Sequence, residues 1–219
     1  MDSEETVQKL RADFLSSVAA ILRFSATKEH DCLDRDEVLE LLLLNDLVDD
    51  IAPVIGALST DEDELVRATA IDVASELQLW GAEEVYVPAL KDPSSLVRGC
   101  AACAIGKTMS MGSAKDLQQA LDLETDDSVR QRIYYALWKL GYHQYSFRFL
   151  EGLFHEHYVV RCFTANLLRD FVTELNRSFF VHLVKTAHVM ELTVAAREDL
   201  ADFLADFESD TDGNYIGRA

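Results

Sequence analysis

The chain has 219 residues with only three prolines and nine glycines, a balance that favours long helices over a turn-rich sheet protein. Its length is enough for one good-sized core. The net charge is −19, from 39 acidic and 20 basic residues, which disfavours nucleic acid and anionic membrane surfaces as partners and favours a basic protein.

The chain opens with an apolar stripe, Val7, Leu10, Phe14, Val18, Ile21 and Leu22, over residues 4–24. It reads as a helix, and residues 36–44 and 47–58 supply further helices. Residues 1–46 are therefore expected to form an N-terminal helical cap. Met1-Asp2-Ser3-Glu4-Glu5 is acidic where a secretory leader needs bases. No apolar run approaches the length of a membrane span. Cys32, Cys100, Cys103 and Cys162 form no dense framework, so a reducing cytoplasm is the expected compartment. Acidity is greatest early in the chain, where residues 1–65 hold 17 acids against five bases.

An internal repeat follows. Val66-Arg67, Val97-Arg98, Val129-Arg130 and Val160-Arg161 recur at spacings of 31, 32 and 31 residues, with looser copies at Arg35 and Arg197. A constant period of this length marks a solenoid. Asp61-Glu62-Asp63, Asp92-Pro93-Ser94-Ser95 and Asp126-Asp127-Ser128 precede the first three pairs and suit helix N-termini. The fourth turn departs, with His155-Glu156-His157-Tyr158.

Three, seven and ten places after each Arg stand Ala70, Ala74 and Leu77; Ala101, Ile105 and Thr108; Ile133, Leu137 and Leu140; Thr164, Leu168 and Phe171. With the preceding Val they form one helix face. Gly81, Gly112 and Gly141 are expected to end these helices in left-handed geometry. A second helix precedes each turn. Its markers are Val85 and Leu90; Leu117, Ala120 and Leu121, after a possible capping box at Ser113 and Asp116; Phe147, Leu150 and Phe154; and Phe179, Phe180, Leu183, Val184 and Ala187. The core repeats span 47–193, a last helix covers 194–207, and 208–219 is a polar tail. The whole of 1–207 reads as one domain.

The pattern Asp-x₃₋₅-Val-Arg-x-x-Ala-x₃-Leu, clearest at Asp61–Leu77 and Asp92–Thr108, resembles the second half of the HEAT repeat. The resemblance covers roughly residues 47–207. It implies an all-α fold, a right-handed α-solenoid of about five to six stacked helical hairpins. It also implies that the Val-Arg helices line the concave face, and that Arg67, Arg98, Arg130 and Arg161 pair with turn acids. Ile133 and Thr164 depart from the Ala position, so wider helix spacing is expected there.

Chemical motifs are sparse. Cys100 and Cys103 form a C-x-x-C with no second pair, and small buried hydrophobes explain them better than zinc or redox work. His155 and His157 flank Glu156 in a turn. No H-E-x-x-H, phosphate loop or nucleophile elbow occurs. No catalytic residue, cofactor or metal is expected.

Positions one, five, eight and nine after each Arg are expected to face outward. They make Asp72, Glu76, Tyr135, Trp138, Asn166, Arg169, Asp170 and Asp202 the candidate partner-binding residues. Tyr135 and Trp138 stand out, because interface hot spots are rich in Tyr and Trp; a place in the core is the competing reading for both. The expected function is non-catalytic binding of a basic protein by a monomer. An acidic inhibitor or immunity-type protein that neutralises a partner such as a nuclease toxin is the sharpest form of it. A general adaptor or scaffold fits the same residues, and a HEAT-like lyase-type enzyme remains the alternative class.

Overall fold

The computed structural model describes residues 48–79 and 83–208, together with positions 9, 12–13, 16–20 and 22, which are helical. The helix expected over 36–44, the glycine at 81 and the tail beyond 208 lie outside the described residues. Every regular element among the described residues is helical. In chain order they are α1 (Val48–Leu58), α2 (Glu64–Glu76), α3 (Glu83–Ala89), α4 (Ser95–Lys107), α5 (Ala114–Leu123), α6 (Asp127–Lys139), α7 (Ser146–Glu151), α8 (Tyr158–Leu168), α9 (Arg177–Met190) and α10 (Val194–Glu208).

The Val-Arg helices α2, α4, α6 and α8 and the Arg197 helix α10 pack side by side in one inner row. The alternate helices α3, α5 and α9 each lie against their following inner helix, whereas α7 lies against the preceding one, α6, and the 3₁₀ turn after α7 meets α8. Neither helix of a pair can bury its apolar face alone, so stacking completes the core. The result is an α-solenoid whose buried cluster runs from Val18 and Leu22 through Ile71, Ile105, Ile133 and Leu168 to Phe203.

The inner helices begin and end by recurring devices. Asp63 accepts a hydrogen bond from the Leu65 N–H, and Asp126 accepts from Ser128 and Val129. Ser94, Ser113 and His157 occupy cap positions without a side-chain cap bond, so the capping box expected at Ser113 is not formed. At the C-termini, Leu79 N–H donates to Ala74 O, Ser110 N–H to Ile105 O and Tyr142 N–H to Leu137 O. These six-to-one bonds place a left-handed residue eleven places after Arg67, Arg98 and Arg130. It is Gln78 (φ 48°), then Met109 (φ 53°), then Gly141 (φ 90°), whereas Val172, eleven after Arg161, is extended. Gly141 thus acts as expected, whereas Gly112 falls in a 3₁₀ turn beyond the true cap at Met109.

The outer helices correct a register. α7 faces the core with Phe149, and Leu153 follows it inward from the 3₁₀ turn after that helix, whereas Phe147 and Phe154 are exposed. Phe179 is likewise exposed beside the buried Phe180.

An ion-pair ladder fixes repeat to repeat. Arg67 makes paired hydrogen bonds to Asp92, at 2.8 and 2.9 Å, and Arg98 to Glu124, at 2.7 and 3.0 Å. Arg161 does the same with Glu191, at 2.5 and 2.8 Å. Each acid stands six residues before the next repeat's Arg, and that Arg also donates to the carbonyl of this position: Arg98 to Asp92 O, Arg130 to Glu124 O, Arg197 to Glu191 O. Two parallel N–H···O bonds at a mostly shielded site set register as well as adding energy.

The ladder breaks once. Position 155, six before Arg161, holds His instead of an acid. Arg130 therefore turns to the Tyr134 hydroxyl at 3.1 Å. His155 keeps the turn's other bond, its Nδ1 accepting from His157 N–H at 3.1 Å as Asp92 accepts from Ser94.

Candidate protein-docking face

Close packing between inner helices decides which side chains remain open. Position one is buried at Ala68, Gly99 and Gln131, and position eight at Ser75 and Gly106. The reason is geometric: a helix held between two neighbours buries both flanks as well as its core side. A Cβ on Gly106 would lie 2.8 Å from the Tyr135 ring and 2.9 Å from Ala136 Cα. A Cβ on Gly99 would strike Arg132, including its Cδ at 2.9 Å. The glycines let α6 lay its side chains flat across α4.

The inner side of the row follows positions two, five and nine, which share one side of a helix away from three, seven and ten; its two ends are exposed, while Cys100, Cys103, Arg132 and Tyr135 at its centre are buried. It carries Asp72 and Glu76 on α2, then Cys100, Cys103 and Lys107 on α4. Arg132, Tyr135 and Lys139 follow on α6; Phe163, Asn166 and Asp170 on α8; and Asp199, Asp202 and Asp206 on α10. Of the four positions expected to face outward, only position nine avoids full burial in every repeat.

Tyr135 departs most from expectation. It is fully buried, against Phe171 (ring centroids 5.7 Å) and Phe149 (6.1 Å), and its hydroxyl donates to Asp170 Oδ2 at 2.5 Å. Burial and that hydrogen bond raise its pKa well above the usual phenol range. Trp138 is half-buried and stacks on Phe171, with centroids 3.6 Å apart and planes 10° apart. Both rings serve an aromatic cluster that joins α6, α7, α8 and α9, so neither offers a free face to solvent.

The remaining candidates fall into two groups. Asn166 and Arg169 form a network to α10: Arg169 pairs with Asp206 at 3.0 Å and with Asn166 Oδ1 at 2.6 Å, and Asn166 Nδ2 donates to Asp199 at 3.2 Å, whereas Asp170 turns to α6. Lys139 approaches Asp170 at 3.9 Å. Asp202 is exposed on the same helix as Asp199 and Asp206. Asp72 and Glu76 lie at the other end of the row, Asp72 accepting a 3.6 Å contact from Cys100 Sγ.

Arg132, at position two, was missed because that position was not read as part of this side of the helix. The 2-5-9 spacing of a single helix face was the signal that could have found it. The two thiols beside it are poor nucleophiles: burial pushes Cys103 up to about 11, and Cys100 is raised further by burial and the nearby Asp72 carboxylate. Among the described residues no group of three or more His, Cys, Asp or Glu could hold a metal, and no helix is long and apolar enough to cross a membrane.

The stacked helical pairs and their charged inner side define the class of the α-solenoids. More particularly, a family model of HEAT repeats matches residues 51–138, so α2, α4 and α6 stand in HEAT repeats. HEAT-repeat domains are generally protein-interaction modules and typically non-catalytic scaffolds. No curated protein matches the chain.

Proposed function

We propose that the inner face docks a basic protein and that the chain acts as its inhibitor, of the kind that neutralises a nuclease toxin in the cytoplasm. The observation that carries this reading is the row of Asp170, Asp199, Asp202 and Asp206 at one end of the face, answered by Asp72 and Glu76 at the other. Acids on both flanks, within a chain of net charge −19, steer a basic partner toward the row and oppose polyanions. Only part of this charge is spent inside the protein, since Asp202 is exposed while Asp206 and Asp170 answer Arg169 and Lys139.

The test is capture on immobilised protein with stepwise salt elution, followed by assay of the captured protein's activity in the complex. A basic protein that elutes early with salt, loses its activity when bound and is no longer held by Asp202→Lys supports inhibition. Retention of its full activity in the complex favours the adaptor. A retained small molecule with no protein partner overturns the docking reading.

A further inference from the structure

We propose that Arg132 receives a carboxylate of the docked protein, so that the partner presents an acidic side chain ringed by basic ones. This rests on the reading of the inner face as a docking surface, and names the chemistry at its centre.

Arg132 is 6% exposed, and its Nε is buried with no hydrogen-bond partner. Among the described residues its guanidinium makes no hydrogen bond or ion pair. Its one close partner is the Phe163 ring, whose centroid lies 3.6 Å from Cζ. Every ladder arginine with a carboxylate in reach takes it in a two-bond grip, whereas Arg132 takes none. A shielded guanidinium without an acceptor is costly to hold, so its retention calls for a gain elsewhere. Stability at a binding site is often traded in this way.

The setting suits a receptor. Gly99 on one side and Phe163 on the other hold the guanidinium flat, so an acceptor must approach its N–H groups in the plane. Lys107 and Arg132 are the positive neighbours of Cys103, set against Asp72 and Asp170 on either side. Cys100 and Cys103 are held neutral and supply no counter-charge. The nearby acids are engaged elsewhere: Asp170 by Tyr135 and Lys139, Asp72 by Cys100. A phosphate polymer fits poorly, because it would have to pass the acids at both ends. A single carboxylate among lysines or arginines meets both charges.

The test follows the Arg132 Nε–H resonance by ¹⁵N NMR in the full chain during titration with a blocked Lys-Lys-Glu-Lys-Lys peptide. The Gln analogue, Lys-Lys-Gln-Lys-Lys, is the control. The expected result is a saturable shift with the Glu peptide, with affinity at least about tenfold weaker for the analogue and for Arg132→Met. Arg132→Lys, which keeps charge but loses the planar fork, falls between. Arg132→Met also raises Tm by about 2–4 °C, because it keeps the stem and removes the unpaired charge. Equal binding of the two peptides, no saturable shift, or a lowered Tm or loss of folding in Arg132→Met would each overturn the proposal. The two readings fail separately: a basic partner that Arg132→Met still captures and inhibits leaves the docking face standing and removes Arg132 from it. Absence of any protein partner removes the docking reading, whatever the peptide does.

Discussion

At the scale of single residues, the fold depends on a few places where side-chain bulk or backbone sign is fixed. Gly106 is one, since the Tyr135 ring and the α6 backbone occupy the space of its Cβ. Gly106→Ala is expected to lower stability by about 1–3 kcal/mol, the usual cost of overpacking, as read from urea unfolding. The effect should shrink in the Gly106→Ala, Tyr135→Leu double variant, because the clash is partly with that ring. The left-handed position eleven after Arg67, Arg98 and Arg130 gives a pair of opposite sign. Gly141→Ala should cost about 1 kcal/mol, and Met109→Gly should gain up to about as much, less the added freedom of the unfolded chain. If both lower the melting temperature equally, backbone sign does not govern these caps. Core positions three and seven were legible in the sequence because small and apolar residues recur there in register. The left-handed position was legible only at Gly141; at Gln78 and Met109 non-glycine residues occupy it, so the glycines nearby drew the reading away.

At the scale of elements, the ladder explains why the turns are acidic. The Glu191 carboxyl is held at about 2, below its ordinary 4.5, chiefly by the hydrogen bond from Arg161. At Asp92 and Glu124 burial alone would raise the pKa, but hydrogen bonds from Arg67 and Arg98 and from turn N–H groups outweigh it and leave both lowered. The folded form therefore keeps these charges where the unfolded chain takes up protons. Their stabilisation is full above about pH 4.5, and for Glu191 it is lost as the pH falls from 4.5 toward about 2. Glu191→Gln is expected to destabilise the protein at pH 7 and to flatten its acid limb over that window. An unchanged acid limb would show that the pair contributes nothing to the pH response. His155 supplies the complementary case. His155→Glu puts an acid in the position that Asp92, Glu124 and Glu191 occupy, within the frame where Arg130 has no carboxylate partner. The expected gain is about 0.5–1 kcal/mol, and Arg130→Met in the same background should erase it. The arginines of the ladder were legible from their period. The partner acids were only loosely so, because pairing crosses 25 to 30 residues and one rung is histidine.

At the scale of the whole molecule, a solenoid is a row of nearest-neighbour joints, and its weakest joint sets where it opens. The joint between α6 and α8 differs from the others. It lacks a ladder ion pair, and α6 touches α8 less extensively than it touches α4. In place of the ladder stand the stacked Trp138 and Phe171, the Tyr135–Asp170 hydrogen bond, and a buried pair in which Gln131 Nε2 donates to Thr164 Oγ1 at 2.8 Å. The departures at Tyr135, Trp138 and Thr164 were visible in the sequence, but their meaning was not. A period shows which positions face a neighbour, not whether the neighbour on one flank is solvent or another helix. The aromatics that read as a binding surface thus hold two halves of the row together. Trp138→Ala removes the stack on Phe171 and should cost about 3 kcal/mol, with the loss concentrated at this joint. Hydrogen exchange then has a definite expectation: amides of α8, α9 and α10 in the variant exchange together and earlier, while those of α2 and α4 keep their protection. Uniform loss of protection along the chain would show instead that the row unfolds as one unit, with the aromatic cluster adding to global stability and no joint opening before the rest.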